Sequence, residues 1–109
     1  MGLTKHNAFK PEHNELAGFS KALGHPARIA ILEYLLKEDR CICGDLVDVL
    51  PLAQSTVSQH LSELKKAGLI QGTISGTSMC YCINKETWSK AMADMNALFE
   101  LVKTETGCC

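Results

Sequence analysis

Three observations predict a mainly α-helical fold carrying one small β-hairpin. Apolar residues recur at three- and four-residue steps through most of residues 11–67 and again through 85–103, the period of a helix packed on one side. Between those stretches, 69–83 is rich in β-branched residues and is broken by Ser75-Gly76, the pattern of two strands joined by a tight turn. Gly24, Pro51 and Gly68 fall where the periodic stretches stop.

The elements follow in order. Residues 1–10 are polar and are expected to fray. Pro11 suits a first helical turn, Glu12 and Glu15 favour that end of the dipole, and Leu16, Phe19 and Leu23 form one face before Gly24. The Gly24-His25-Pro26 step starts a second helix, whose apolar residues are Ile29, Leu32, Leu35 and Leu36, running to about Lys37; His25 has a structural role in that turn. Glu38-Asp39-Arg40 is a polar turn. A short third helix is expected from about Gly44 to Leu50, ended by Pro51. A fourth runs from about Gln54 to Ala67, with Val57, Leu61 and Leu64 on one face and Gly68 as the stop. The hairpin strands are 69–75 and 77–83, and a last helix covers about Lys85 to Lys103. No repeat, low-complexity segment or long linker divides the 109 residues, so one domain is expected.

Composition narrows the function classes. Hydrophobic residues make up 46% of the chain and charged residues 21%, which excludes a largely disordered protein. No apolar run approaches the ~18 residues of a membrane span, and the charged start resembles no signal peptide, so a cytoplasmic protein without a membrane partner is expected. The net charge of −1 rules out a bulk basic field, so any DNA contact must be local. Aromatic residues at 6% argue against a stacking platform for single strands.

A short helix, a tight Pro-containing turn and a longer helix with a polar outer face form the geometry of proteins that lay a second helix in the major groove. The hairpin directly after it can serve as a wing. With Val57, Leu61 and Leu64 inward, the fourth helix exposes Gln54, Ser55, Ser58, Gln59 and Ser62, short amide and hydroxyl groups suited to base edges and phosphates. A merely solvated face would favour Lys and Glu. Thr56 and His60 lie in the same helix, and Lys65 and Lys66 near its end suit phosphate, completing the set of expected DNA contacts.

The stretches ALGHPARIAILEYL, DLVDVLPLAQSTVSQHLSELKKAGLI and GTISGTSMCYCIN resemble the winged-helix repressors of the ArsR/SmtB family, over about residues 16–88. The most specific part is QSTVSQHLSELKKAGLI. The resemblance implies a winged helix-turn-helix homodimer built on the first and last helices, which binds double-stranded operator DNA and releases it when a metal ion or metalloid binds. Leu16 and Phe19 with Trp88, Met92, Met95, Phe99 and Val102 are the expected dimer seam, the latter five stepping by 4, 3, 4 and 3. Two features depart from the family: the wing tip, residues 74–78, lacks Arg and Lys, and Ala53 stands where a Ser/Thr helix cap is common, leaving Ser55 as a substitute.

Six cysteines occur in three close pairs: Cys41 and Cys43, Cys80 and Cys82, Cys108 and Cys109. Without a secretory signal a disulfide framework is disfavoured, and metal or redox chemistry gains weight. Cys41 and Cys43 stand at the entry to the third helix, where N-terminal amides favour thiolate. Arsenic-sensing members of the resembled family carry Cys-X-Cys in this region, one residue later, which implies trivalent arsenic or antimony as effector, with no organic cofactor. Trivalent arsenic favours three sulfurs, and the third is expected from Cys108 or Cys109: the tail 104–109, about 20 Å when extended, is long enough to search for the site. The hairpin pair is expected to be a worse donor, pinned in the wing away from the third helix. Cys80 and Cys82 share one strand face, with Met79, Tyr81 and Ile83 on the core side; a second soft-ion site, a redox pair and no functional role remain open for them. Alternative effectors are Cd(II), Pb(II) or Zn(II) with His6 or His13 added, or thiol oxidation. The last helix has no His, unlike zinc-sensing relatives. Enzymatic activity is not expected, since Cys-X-X-Cys beside a βαβ unit is missing.

Overall fold

Proline opens the first two helices. In the computed structural model, which describes residues 8–44 and 46–103, α1 (Pro11–Ala22) and α2 (Pro26–Glu38) both begin on a proline. Its fixed φ and missing N–H cost nothing in an opening turn. His25 caps α2: its Nδ1 accepts a 3.0 Å hydrogen bond from the Ala27 amide. α2 closes at Asp39, whose N–H makes the last helical bond, to the Leu35 carbonyl, and whose left-handed φ of 51° turns the following chain out of the helix.

The chain continues through β1 (Ile42–Cys43), α3 (Leu46–Val49), α4 (Gln54–Lys66), β2 (Ile70–Ser75), β3 (Ser78–Ile83) and α5 (Lys85–Phe99). The expected helices and hairpin are all present. α3 is shorter than expected because Gly44, at φ 79° directly after the Ile42–Cys43 strand, swings the backbone away before the helix starts. α5 stops at Phe99 rather than Lys103. Beyond it the Leu101 and Val102 amides bond three residues back, a tightening that ends an α-helix.

α4 hands the chain to the wing through a defined turn. Gly68, at φ 84°, directs its N–H to the Lys65 carbonyl (2.9 Å) while the Leu69 N–H reaches the Leu64 carbonyl (3.1 Å). This paired closure needs a left-handed residue, which glycine supplies without strain. β2 and β3 form the expected hairpin, in register from Ile70 opposite Ile83 to Ser75 opposite Ser78. The sequence pattern did not reveal that the sheet has a third strand: its order is β1-β3-β2, all antiparallel, with Ile42 opposite Tyr81 and Cys43 opposite Cys80.

One core joins these elements. Ile31 and Leu35 of α2, Ile42 of β1, Val57 and Leu64 of α4, and Leu69 and Ile70 at the wing base are each 2% exposed or less. Phe19 of α1 and Ala91 of α5 close it from the other side, and Glu15 and Lys90 pair across those helices at 3.2 Å. Among the described residues no helix is long and apolar enough to cross a membrane.

Leu64 has no exposed surface. Truncation to Ala should lower unfolding free energy by about 2–5 kcal/mol, the usual range for a buried leucine. Ile74→Ala, at a side chain 74% exposed, should change it by less than about 0.5 kcal/mol. Urea denaturation of both variants checks the contrast.

Candidate nucleic-acid interface and thiol cluster

The amphipathic split of α4 makes the interface. Val57, Leu61 and Leu64 are buried, whereas Gln54, Ser55, Ser58, Gln59, Ser62, Lys65 and Lys66 are exposed. One helix face therefore carries five hydroxyl or amide groups, with two ammonium groups in its last turn. Ala53, the N-cap, makes no side-chain cap hydrogen bond, and Ser55 does not replace it. The opening amides of α4 thus keep the polarity that suits a phosphate oxygen. Lys65 leans over the wing base, where a Cβ added at Gly72 would come within 3.4 Å of its Nζ.

Two expected contacts differ. Thr56 is half-buried, and His60 faces inward at 8% exposure. His60 completes the 57, 60, 61, 64 stripe, the i, i+3, i+4, i+7 set that a helix turns to its core. Its Nδ1 accepts a 3.1 Å hydrogen bond from Arg28 Nε, and its ring lies 4.3 Å from that of His25. Burial first, then the facing His25 and Arg28 charges, push the His60 imidazole below its ordinary value. Arg28 Nη1 also donates to the Ala22 carbonyl at 3.3 Å, at the end of α1. Arg28 thereby ties α1, α2 and α4 together. Sequence reading passed over it, although an Arg one turn after the Gly-His-Pro break is well placed to reach back to the preceding helix end.

The residues expected at a dimer seam divide. Phe19 is 6% exposed and belongs to the core of the chain itself; Leu16, Trp88 and Met95 are half-buried, and the latter two pack against that core. Met92, Phe99 and Val102 are 51%, 65% and 72% exposed.

The thiols are arranged differently from expectation. Cys80 and Cys82 are not remote from the third helix, because β3 pairs directly with β1. Cys41 is bonded to Cys82 and Cys43 to Cys80, with Cα separations of 4.3 and 4.0 Å. Disulfides, disfavoured by the sequence reading, arise here because an antiparallel register sets two Cys-X-Cys segments face to face. Tyr81 and Ile83 pack on the core as expected, but Met79 is 37% exposed and Cys80 only 3%. Cys108, Cys109 and His6 lie outside the described residues. Among the described residues no three His, Cys, Asp or Glu side chains stand as an open ligand set, the four sulfurs being spent on one another.

The family model described as bacterial regulatory protein, arsR family, matches residues 25–71. The chain is 39% identical over 74 residues to the regulator Rv0081 of Mycobacterium tuberculosis, covering 68% of this chain and 65% of that one. It is 46% identical over 61 residues to the repressor SmtB of the same organism, covering 56% and 44%. It therefore spans less than two thirds of the length of either. The regulator CmtR of Mycobacterium bovis is 33% identical over 93 residues, covering 85% and 78%. Among solved structures, NolR from Sinorhizobium fredii superposes with a TM-score of 0.65 at 28% identity, covering 93% of this chain and 95% of that one.

The His60 environment sets a pH dependence. Its folded-state pKa is lowered, so on acidification the unfolded chain takes up the proton first. The stability from neutral His60 is complete above the ordinary value of 6.5 and is lost as pH falls through it toward the lowered one. Between about pH 7.5 and 5.5, spanning the ordinary histidine range, the urea midpoint of the native chain should fall more than that of His60→Gln, which keeps an acceptor for Arg28. Parallel pH dependences would contradict this role.

Proposed function

The chain belongs to the arsR family of bacterial regulatory proteins, and on that premise we propose that it is a cytoplasmic transcriptional repressor, released from operator DNA when cysteine thiolates take up trivalent arsenic or antimony. The DNA-binding half rests on one observation: the exposed face of α4 presents Gln54, Ser55, Ser58, Gln59 and Ser62 while its opposite face is locked into the core. Gln59 and Ser58, mid-helix, read base edges; Lys65 and Lys66 hold phosphate. With a net charge of −1, the attraction comes from this face and not from the chain as a whole. The working form is a homodimer that covers Met92, Phe99 and Val102, since apolar side chains this exposed along and just beyond α5 gain from burial.

The effector half rests on Cys41 and Cys43, exposed in and beside β1, just ahead of the helix pair that carries α4. The sequence offers Cys80, Cys82, Cys108 and Cys109 as further donors. A coupling of about 1–3 kcal/mol between ion and DNA would change operator affinity about 5–150-fold, enough for a switch. Cd(II), Pb(II) or Zn(II) in the same thiolates is the nearest variant of this reading. The two disulfides favour a second one, a repressor that answers to thiol oxidation.

Gln59→Ala should cost about 1–3 kcal/mol on operator DNA and much less on random DNA, whereas Lys65→Ala should weaken both alike and flatten the salt dependence. Fluorescence anisotropy with the two DNAs at several salt concentrations separates these roles; equal losses for Gln59→Ala on both would refute base reading by that side chain.

In the reduced protein, Cys41→Ser and Cys43→Ser should bind the operator as the native chain does yet fail to release it on adding arsenite. A gel shift with arsenite, antimonite, cadmium and zinc titrated in parallel identifies the effector. Normal release of both variants would refute the thiol-sensing reading.

A further inference from the structure

We infer that, in the reduced chain, Cys41, Cys43, Cys80 and Cys82 form one intrachain site for a thiophilic ion, so that the donors completing the Cys41–Cys43 pair come from the wing and not from the tail. Cys43 stands opposite Cys80 in the β1–β3 ladder, and Cys41 is bonded to Cys82 two residues further along. Residues two apart on a strand share a face. The four sulfurs therefore stand on one side of the sheet, at the corners of a rectangle. Its short edges are fixed by Cα separations of 4.0 and 4.3 Å, and its long edges by two residues of strand, about 6.5–7 Å.

This arrangement suits a thiolate-bound ion. Ligand sulfurs about 2.3 Å from a zinc-like ion lie within about twice that distance of one another. Opposed cysteines here stand with Cα atoms only 4.0 and 4.3 Å apart, and rotation about the cysteine side chains draws the two rows together. Four thiolates select soft ions over magnesium or calcium. Access is provided too: Cys41 and Cys43 are exposed, and Cys41 and Cys82 line an open cleft of about 450 Å³ beside Asp39, Arg40 and Trp88.

Disulfide bonding and ion binding draw on the same sulfurs and exclude one another. A dithiol reductant converts each disulfide to two thiols and is itself oxidised to a disulfide. A divalent ion entering the four thiols forms four metal–sulfur bonds and releases four protons. An occupied site joins β1, directly ahead of α3 and α4, to β3 of the wing; the reduced empty chain holds that junction by a two-residue ladder and the burial of Ile42, with no cross-link. This regulatory consequence rests on the repressor reading above, whereas the site itself does not.

The test uses the full chain, reduced with a phosphine under anaerobic conditions and titrated with Cd(II), whose thiolate bonds absorb in the near ultraviolet. One ion per chain is expected, with Cys41, Cys43, Cys80 and Cys82 protected from alkylation by iodoacetamide and Cys108 and Cys109 modified, as mapped by mass spectrometry. The native chain suffices for this, so a variant that fails to fold leaves the test intact. Cys82→Ser should weaken Cd(II) binding by more than about tenfold, the least that even outer-shell changes at metal sites cost. The double substitution Cys108→Ser with Cys109→Ser should leave it unchanged, and the unreduced chain should bind no ion. Protection of the tail pair with free alkylation of Cys80 and Cys82 would overturn the assignment. With operator DNA added to the same sample, four protected thiols without release of the DNA would uphold the site and overturn the ion-released repressor reading instead.

Discussion

The burial of one stripe on α4 governs what the rest of the molecule can present. Val57, Leu61 and Leu64 seat the helix on α2 and the wing base, and at roughly 1.5–3 kcal/mol for each large apolar side chain removed from water they fix its rotation about its own axis. A helix free to roll would average its polar face over many directions. Held this way, Gln54, Ser58, Gln59 and Ser62 point outward together. The closure at Gly68 then sends the chain into β2 at a set angle, so the wing inherits its position from the same packing. Arg28, reaching from α2 to His60 and to the end of α1, adds a polar restraint to the apolar one.

Much of this was legible along the chain, because the governing signals are local. Pro11 and Pro26 mark helix starts through their own ring geometry. Gly68 marks a stop because few other residues tolerate its backbone angles. The 69–83 stretch announces a hairpin through its β-branched residues and central glycine. What was not legible depends on partners distant in sequence. Ile42 and Cys43 are too few to show a period, and they form a strand only because β3, nearly forty residues later, offers a free edge. Spacing showed two Cys-X-Cys segments but could not show that they face each other. His60 and Phe19 were misplaced for other reasons: His60 lies at the margin of its helix's apolar stripe, and for Phe19 periodicity gives an apolar face without saying whether the chain's own core or a second copy covers it.

Electrostatics are local throughout. The ion pairs Lys37–Glu33, Arg40–Glu38 and Lys66–Glu63 are all substantially exposed, and such pairs contribute about 0–1 kcal/mol. They leave the core to do the stabilising. Lys85–Asp39, at 3.0 Å, is also exposed, yet it spans the turn after α2 and the start of α5 beside the paired cysteines. Charge in this chain trims the surface around a junction that packing and sulfur already define.

The cross-links also change the topology of the covalent chain. Cys41 to Cys82 is a separation of 41 residues and Cys43 to Cys80 one of 37, one nested inside the other. When both are closed, α3, α4 and nearly the whole wing form a covalent ring hung from the helical frame of α1, α2 and α5. A single backbone cut within that ring releases no fragment. The outer closure alone removes about 4 kcal/mol of chain entropy from the unfolded ensemble, while the inner one adds little because its ends are already held together. The oxidised DNA-reading unit can thus open and reclose without its ends ever parting, a shortcut that the reduced, linear chain does not have.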